Sequence, residues 1–376
     1  MNRCARLMAT LRGEPVDRPA VCFYELNGLD ERPEDDDPFN IYTHPSWAPL
    51  IELTRERTDR IVMRAVPFCD ALDPVDALTQ TETWFENGSR YERRTVRCDG
   101  RRLTATTRRD PDVNTIWQIE HLLKDVDDLR AYLELPLAEQ HGEPDCAGVL
   151  EAERMLGDTG IVMIDTADPL CLAAGLFDMA TYTVIAATEQ RLFHRLLERF
   201  ASAVQPKTEA IARALPGRLW RVYGPEYASP PYLRPHLFRE YVTRYDTPMV
   251  QAIQRHGGFA RIHSHGRLRL ILDAIASTGC DGLDPIEPPP QGDMALAEVR
   301  ARHGQQMVLF GNLEASDLEN LPSNEFAVKV QRALAEGTQG QGRGFVLMSS
   351  SIPYGRVLPD LALRNYQIMI QEVERF

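Results

Sequence analysis

The sequence predicts an α/β protein, a (β/α)8 TIM-type barrel that occupies residues 1–376 as one domain. Three observations lead to this fold. Apolar segments alternate with segments of helical spacing, eight of the apolar segments have the length of buried strands, and polar residues follow where those strands end. Alternating strand–helix units give a parallel sheet, and eight of them close into a barrel. A doubly wound open sheet is the alternative.

The N-terminal part supplies the first two strands. A helix is predicted over 3–11, where Gly13 ends it, and a strand over 20–24. A helix over 47–58 leads into a second strand over 60–64, which is short and flanked by arginines. The count of eight strands depends most on this second strand.

An antiparallel β-hairpin excursion interrupts the repeat at about 81–118. Apolar and polar residues alternate there around Asn-Gly at 87–88 and Asp-Gly at 99–100. Both dipeptides favour the two-residue turns of hairpins. We expect this excursion to lie over one end of the main body.

The regular strand–helix repeat begins at about 148. Its strands are predicted at 161–165, 219–223, 259–265, 282–286, 307–310 and 345–348. Its helices are predicted at 177–186, 190–215, 235–255, 267–277, 323–336 and 360–374, with breaks near Pro206 and Pro248. Polar candidates then lie where strands end, which is where such barrels carry their active sites: Asp165, Glu226, His263, His265, Glu287, Asn312 and Ser350.

Composition and charge exclude several classes of function. The chain is 43% hydrophobic and has a formal net charge of −13, so neither nucleic acid nor an anionic membrane surface is expected as its main partner. No apolar run reaches the roughly 18 residues that a membrane span requires. The seven cysteines are scattered and the N-terminus lacks the apolar segment of a signal peptide, which predicts reduced thiols and a cytoplasmic protein.

The leading candidate site is His263-Ser-His265 together with Glu287. Residues two apart on a strand point to the same face, so both imidazoles project together, and the next predicted strand ends at Glu287. Two imidazoles and a carboxylate with one open position are ligand types of a catalytic zinc site. The alternative is a set of ordinary hydrogen-bonded residues without metal.

Other residues at the same edge are candidates for catalytic or substrate-binding roles. Glu226 is a candidate base, fourth metal ligand or partner of an arginine, and Asp165 is a candidate catalytic residue that contacts substrate. Asp165 and Asp168 suit helix capping at least as well. For the candidate substrate contacts, packing and turn formation are the alternatives. These candidates are Tyr24, Tyr227, Asn312 and Ser350.

Five segments carry a resemblance to a known family. They read Arg-Leu-Met-Ala-Thr-Leu-Arg-Gly-Glu-Pro-Val-Asp-Arg-Pro at 6–19, Tyr-Gly-Pro-Glu-Tyr-Ala-Ser-Pro-Pro-Tyr at 223–232, His-Ser-His-Gly at 263–266, Gly-Cys-Asp-Gly-Leu-Asp-Pro-Ile-Glu at 279–287 and Gly-Asn-Leu-Glu at 311–314. Together they resemble the uroporphyrinogen decarboxylase superfamily, which includes decarboxylases and zinc-dependent, corrinoid-linked methyltransferases. The resemblance covers nearly the whole chain and implies a (β/α)8 barrel.

The sequence departs from both branches of that superfamily. Decarboxylases have an arginine-rich motif after the first strand, whereas residues 23–28 read Phe-Tyr-Glu-Leu-Asn-Gly. The methyltransferase branch has His-x-Cys after strand five, an acidic residue after strand six and a cysteine after strand eight. Those places hold His263-x-His265, Glu287 and three serines at 349–351. The resemblance implies a zinc site of His263, His265 and Glu287 in which imidazole replaces one thiolate.

The resemblance favours a zinc-dependent methyltransferase. It would move a methyl group between a small methoxylated or methylated compound and the cobalamin of a corrinoid protein, with Glu226 or Asp165 orienting the substrate. We expect the corrinoid on a partner protein, because 376 residues are too few for the barrel and a cobalamin-binding domain. A homodimer is compatible with this prediction. The alternatives are a decarboxylase of a small organic acid and a non-catalytic barrel that binds a ligand.

Overall fold

Eight parallel strands form a nearly closed barrel with helices around it, which confirms the predicted fold. The structure is a computed structural model that describes residues 1–69, 74–98, 100–137 and 142–376. The strands are β1 Ala20–Val21, β2 Arg60–Arg64, β3 Thr79–Glu86, β4 Ser89–Cys98, β5 Arg101–Arg109, β6 Ile116–Glu120, β7 Gly160–Ala167, β8 Leu219–Tyr223, β9 Phe259–His263, β10 Gly282–Asp284, β11 Val308–Leu313 and β12 Phe345–Ser349. The helices are α1 Arg3–Arg12, α2 Ala48–Arg57, α3 Val126–Leu133, α4 Ala147–Leu156, α5 Pro169–Ala174, α6 Met179–Thr188, α7 Gln190–Ala214, α8 Pro235–Phe238, α9 Arg244–Arg255, α10 Leu272–Ala276, α11 Leu296–His303, α12 Ala315–Asn320, α13 Ser323–Thr338 and α14 Asp360–Arg375.

The barrel strands are hydrogen-bonded in the order β1–β12–β11–β10–β9–β8–β7–β2. Asp59 bridges the gap between β1 and β2, because its N–H donates to the Val21 carbonyl at 2.7 Å and its Oδ2 accepts from the Val21 N–H at 2.9 Å. The short second strand is present as predicted and pairs with β7 over its whole length. Its flanking Arg60 is buried and donates to the carbonyl of Asn27, so this arginine ties the strand to the loop after β1.

The excursion is a four-stranded antiparallel sheet of β3, β4, β5 and β6, slightly longer than the predicted segment. Asn87 and Gly88 have φ angles of 51° and 82°, and they form the predicted turn between β3 and β4. Asp99, in the second predicted turn, lies outside the described residues.

The excursion sheet packs against loops at the C-terminal end of the barrel. Arg109 of β5 donates to the carbonyl of Phe39, which lies in the loop after β1. Beyond β5, the N–H of Asn114 donates to the carbonyl of Tyr354 in the loop after β12. The expectation that the excursion covers one end of the body is therefore confirmed, and the end is the one where polar residues follow the strands.

The two predicted helix breaks at proline are wrong. Helix α7 continues through Pro206, and α9 continues through Pro248. A proline removes one backbone hydrogen bond, but buried apolar residues on both sides of Pro206 hold α7 against the barrel. The irregularity in the later segment lies earlier, at a π-helical turn over Arg239–Thr243. None of the helices in the described ranges is long and apolar enough to cross a membrane.

The barrel interior is apolar at its N-terminal end and charged at its C-terminal end. Leu7 and Leu11 of α1 pack against the apolar end. It is formed by Cys22, just after β1, and by the strand residues Ala20, Ile61, Ile161, Met163, Leu219, Val308, Phe310, Val346 and Met348. Every second residue of a strand points into the barrel, so the same alternation continues toward the C-terminal end. The inward-pointing residues at that end are Asp165, Arg221, Arg261, His263 and Asp284. This change from apolar to charged side chains positions the candidate site.

Candidate active site

Arg221 of β8 connects three elements at the C-terminal end of the barrel. Its Nε and Nη2 donate to the two carboxylate oxygens of Asp165 on β7 at 2.6 and 3.1 Å. Its Nη1 donates to the hydroxyl of Tyr24 after β1 at 2.9 Å. Burial raises the pKa of Tyr24, so the hydroxyl stays neutral and can accept this bond. Asp165 is thus held by an arginine, and it is not the N-cap of any helix in the described part of the chain.

Asp284 of β10 is fully buried between two cationic or basic side chains. Its Oδ2 lies 2.7 Å from Nδ1 of His263, and its Oδ1 lies 2.9 Å from Nε of Arg261 as an ion pair without hydrogen-bond geometry. Burial by itself raises the pKa of Asp284, but the charges of Arg261 and His263 outweigh it and hold the pKa at about 2. The Asp284 carboxylate is therefore ionised and fixes the orientation of the His263 ring.

His265 and Glu287 form a second imidazole–carboxylate pair, nearer the surface. Nδ1 of His265 lies 2.8 Å from Oε1 of Glu287, and the N–H of Gly266 donates to Oε2 at 2.6 Å. Burial lowers the pKa of His265, but its hydrogen bond to Glu287 and the charge of that carboxylate give a net increase. Burial likewise opposes the net lowering of the Glu287 pKa, which the bond to His265 causes. Both partners therefore favour their charged forms.

The two histidines lie close together, but the predicted strand over 259–265 is too long: β9 ends at His263, and His265 lies in the loop that follows. Their ring centroids are 4.6 Å apart and the rings are nearly perpendicular, at 88°. His263 is buried, and its Nε2 lies 3.5 Å from the Tyr24 hydroxyl. The His265 side chain is 37% exposed and therefore accessible from outside the barrel. The pair thus leads from the interior to the surface.

A cavity of about 510 Å³ opens beside His265. Four predicted site residues line it: Glu226, Tyr227, His265 and Glu287. Tyr232 and the exposed Arg267 line it too, so the cavity combines aromatic walls with groups of both charges. Burial raises the pKa of Tyr227 to about 12, so its hydroxyl is neutral. This volume is within the usual range for small-molecule sites.

Glu226 is near enough to two buried aspartates, Asp168 and Asp246, to influence their pKa values. Asp168 caps α5, as Oδ1 accepts from the N–H of Cys171 at 2.5 Å, which confirms the capping alternative for this residue. Burial and the charge of Asp246 raise the pKa of Asp168, and burial and the charge of Glu226 raise that of Asp246. Asp168 and Asp246 therefore favour their neutral, protonated forms beside Glu226.

Asn312 and Ser350 lie apart from the His265 cavity. The Ser350 hydroxyl donates to Oε2 of Glu314 at 3.3 Å and accepts from the N–H of Ala315 at 3.2 Å. Asn312 lines a different cavity, next to Glu314. The structure therefore brings Glu226, Tyr227, His265 and Glu287 to one cavity, and it places the other predicted substrate contacts elsewhere: Tyr24 under His263, and Asn312 and Ser350 near Glu314.

The predicted zinc ligands are neighbours, but each imidazole already has a carboxylate partner. His265 is paired with Glu287, itself a predicted ligand, and His263 is paired with Asp284. Among the residues that the structure describes, no group of three or more His, Cys, Asp and Glu side chains is arranged to hold a metal ion. The donor types still fit zinc. A carboxylate at Nδ1 is also the usual partner of a metal-binding imidazole, which then binds through Nε2. In this arrangement Glu287 is the hydrogen-bonding partner of His265 at Nδ1.

The sequence analysis missed Arg221, Arg261, Asp284 and Glu314. Arg221 and Arg261 interrupt apolar strands at positions that face the barrel interior, and a charged residue at such a position signals a buried partner. Asp284 is a charged residue inside the predicted strand over 282–286, so it carried the same signal. Glu314 directly follows β11 and stands in the Gly-Asn-Leu-Glu segment at 311–314, so its place at a strand end was a signal too.

The sequence of this barrel is similar to that of a known protein family. The family model for "Uroporphyrinogen decarboxylase (URO-D)" matches residues 119–376, and the chain belongs to this family. Uroporphyrinogen decarboxylases of Histophilus somni strains 2336 and 129Pt are 41% identical over 80 residues. That match covers 21% of this chain and 20% of those relatives, so the chain matches about a fifth of their length.

A solved structure extends the similarity to the whole chain. A methyltransferase from Methanosarcina mazei matches 100% of this chain and 99% of its own, with a TM-score of 0.62 and 17% sequence identity. At this identity the match shows a shared fold. Together with the family match, it supports an enzyme of the uroporphyrinogen decarboxylase superfamily.

Proposed function

We propose that this chain is a methyltransferase that moves a methyl group between a small methoxylated or methylated compound and the cobalamin of a separate corrinoid protein. The observation that carries the proposal is the pair of imidazoles at the barrel mouth, each with a carboxylate at Nδ1. The full-length likeness to a methyltransferase supports it. The absence of arginine from residues 23–28 weighs against a substrate with many carboxylates.

Zinc is the proposed metal, and His263, His265 and Glu287 are the residues proposed to hold it. When bound, zinc would withdraw charge from the heteroatom that carries the methyl group and make it a better leaving group. Asp284 orients His263 and keeps its Nδ1 protonated, since a carboxylate at 2.7 Å requires a donor there. Glu287 does the same for His265 at 2.8 Å, and this bond must rearrange if Glu287 itself becomes a ligand.

Substrate would bind in the cavity of about 510 Å³ beside His265. Tyr227 supplies an aromatic wall there, and Glu226 a carboxylate that accepts from the N–H of Gly224 at 3.2 Å. Asp165 acts indirectly, because it orients Arg221. Arg221 in turn donates to the Tyr24 hydroxyl, which lies near His263. We therefore assign Glu226 to substrate contact and Asp165 to positioning.

The corrinoid partner would approach at the C-terminal end of the barrel. His265 is 37% exposed on its side chain, so a reactive group of another protein has access to the cavity. The formal charge of −13 favours a partner whose docking face is basic.

Decarboxylation of a small organic acid is the second candidate. The raised pKa of His265 favours this reaction, because an imidazolium beside the cavity can give the proton that replaces carbon dioxide. Arg267 at the same cavity can pair with a substrate carboxylate. This candidate predicts activity without metal and without cobalamin.

Metal analysis separates the two candidates. Protein purified, incubated with zinc and desalted is expected to retain about one equivalent, and His263→Ala and His265→Ala are each expected to weaken zinc binding at least about tenfold. His303→Ala is the matched control, since this histidine lies on α11 and pairs with Asp273 at the surface. Less than about a tenth of an equivalent of zinc in the wild type, unchanged in His265→Ala, would contradict a zinc site.

The reaction is tested with Co(I) cobalamin and a panel of methoxylated and methylated small compounds. The expected product is methylcobalamin, observed by its absorption spectrum, with rates at least about 100-fold lower in His265→Ala and after chelation of zinc. Re-addition of zinc should restore the wild type and leave the variant inactive. Metal-independent release of carbon dioxide from a small acid, without methylcobalamin, would instead identify the decarboxylase.

A further inference from the structure

A second cavity, of about 350 Å³, lies in the layer of helices at the N-terminal end of the barrel, and it shares no lining residue with the His265 cavity. Its walls come from the turn after α1, from Arg300 of α11 and from the glycine loop, residues 340–344, which leads from α13 into β12. Val16 and Phe345 supply apolar surface. The volume is suitable for a small molecule.

Arg300 is a buried cation without a carboxylate partner. It is 7% exposed, and its Nε and Nη1 donate to the backbone carbonyls of Gln339 at 3.2 Å and Gly344 at 3.1 Å. Burial lowers the pKa of Arg300, and no carboxylate among the described residues raises it. Carbonyl groups satisfy these two nitrogens but carry no net charge, so the buried positive charge lacks a compensating anion.

The third nitrogen of this guanidinium, Nη2, lies open at the cavity wall. It donates to no described residue, and it is not sealed from solvent as other unpaired polar atoms of the interior are. Gly342 lines the cavity and lies directly against Nη2, because a methyl group added at Gly342 would come within 2.1 Å of it. The N–H groups of Gly340 and Gly342 also donate to no described backbone carbonyl. Several free donors therefore surround one point of the wall.

The other cations that line the cavity already have partners. Arg343 forms an ion pair with Asp281 at 2.8 Å, and Arg18 forms one with Asp59 at 2.8 Å. Arg300 is thus the lining cation whose charge a described carboxylate does not compensate.

The carboxylates that line the cavity do not compensate this charge either. Asp17 is bonded to Arg6 at 2.7 Å. Glu14 lies at the exposed rim and forms no ion pair with a described residue. Glu14 therefore repels an incoming anion, and its replacement provides a test of the sign of the ligand charge.

We propose that this cavity binds a small organic oxyanion, with its carboxylate or phosphate group at Nη2 of Arg300 and the N–H groups of the glycine loop, and its apolar body against Val16 and Phe345. A neutral molecule of the same shape would fill the apolar part but leave the charge of Arg300 uncompensated. Charge-assisted hydrogen bonds are about twice as strong as neutral ones, so the anion is the preferred ligand. The proposal goes beyond methyl transfer and does not depend on it.

Calorimetric titration of the full chain with benzoate and with phenyl phosphate tests the proposal, and benzyl alcohol is the neutral probe of similar size. The wild type should bind one of the two anions at least about tenfold more tightly than benzyl alcohol, and the tighter anion identifies the group as carboxylate or phosphate. Arg300→Gln should weaken binding of that anion at least about tenfold. Arg267→Gln is the matched control at the His265 cavity and should change the affinity by less than about threefold.

Glu14→Gln is the second variant, because Arg300 also holds two carbonyl groups and its replacement affects stability. The Glu14 variant leaves those bonds in place and should strengthen anion binding by about threefold, with no change for benzyl alcohol. The unfolding midpoint shows which variants are folded, and Glu14→Gln decides the result if Arg300→Gln is not.

Unchanged anion affinity in folded Arg300→Gln, or a loss in Arg267→Gln instead, would overturn the proposal. So would benzyl alcohol binding as tightly as the anions, anion affinity that does not rise in Glu14→Gln, or no saturable binding of either anion by the wild type. Methyl transfer is measured in separate assays, so its failure leaves this result unaffected.

Discussion

The two ends of the barrel both bury charge, but they treat it differently. At the N-terminal end, the fully buried Asp59 receives Arg6 at 2.6 Å, Arg18 at 2.8 Å and the Val21 N–H, so both of its oxygens are bonded. At the C-terminal end, Asp246, Asp168 and Glu314 have buried carboxyl oxygens that find no hydrogen-bond partner among the described residues.

This difference separates stability from function along one barrel. A buried charge that is fully paired holds its elements in place, whereas a buried carboxyl group left without a partner reduces stability and persists where a ligand or a proton can use it. Parallel barrels in general place their active sites at the C-terminal end and their stabilising contacts at the other. The C-terminal end also contains paired groups, because both imidazole–carboxylate pairs stand at the mouth beside the unpaired carboxyl groups.

The largest expected effect follows from removing the centre of the paired end. Asp59→Ala should lower the free energy of unfolding by about 3–5 kcal/mol, because it removes the buried partner of both Arg6 and Arg18 and leaves the Val21 N–H without its side-chain acceptor. Urea denaturation measures the change. A loss below about 1 kcal/mol would show that this end does not depend on the ion pairs.

The second-largest effect is expected from replacing Arg221, the arginine at the C-terminal end of the barrel. Arg221→Lys keeps the positive charge but cannot bond both oxygens of Asp165 and the Tyr24 hydroxyl together. We expect a loss of about 2 kcal/mol in stability and a fall of at least about tenfold in methyl transfer. If Arg221 acts only in stability, the turnover of the folded variant would equal that of the wild type.

Asp246→Asn tests the unpaired end by its pH dependence. Burial raises the Asp246 pKa in the folded state, so the folded protein holds this proton more tightly than the unfolded chain does. Its contribution to stability is complete below the unfolded pKa of about 3.9 and is lost as pH rises through the folded pKa. The variant should gain about 1 kcal/mol relative to the wild type at pH 8, and the gain should shrink toward pH 4. Parallel stability curves for the two proteins would contradict this.

The smallest effect is expected at the surface of the paired end. Asp17 bonds Nε of Arg6 at 2.7 Å, but its side chain is 42% exposed. Asp17→Asn should therefore cost less than about 1 kcal/mol, and 1 M salt should remove most of the difference. A loss as large as that of Asp59→Ala would mean that exposure does not distinguish these two carboxylates.

Much of the fold and part of the site could be predicted from the sequence. The alternation of strands with helices and the polar residues at strand ends identified the barrel. His263 and His265 are neighbours as predicted, although β9 ends at His263 and does not include His265. The two breaks expected at Pro206 and Pro248 did not occur, because buried faces hold those helices despite the missing hydrogen bonds. The set of three zinc ligands stays a prediction. His265 and Glu287 of this set are paired with each other, and His263 is paired with Asp284.

The sequence by itself determined what is local: the period of each strand, the polar residues at its end and the turn at Asn87. Only the tertiary structure decided which of those residues meet, because the partners are distant in the chain. Tyr24 reaches Arg221 across 197 positions, and Ser350 reaches Glu314 rather than the His265 cavity. Closure of the barrel sets these pairings, since strands from both ends of the chain become neighbours only when the sheet closes.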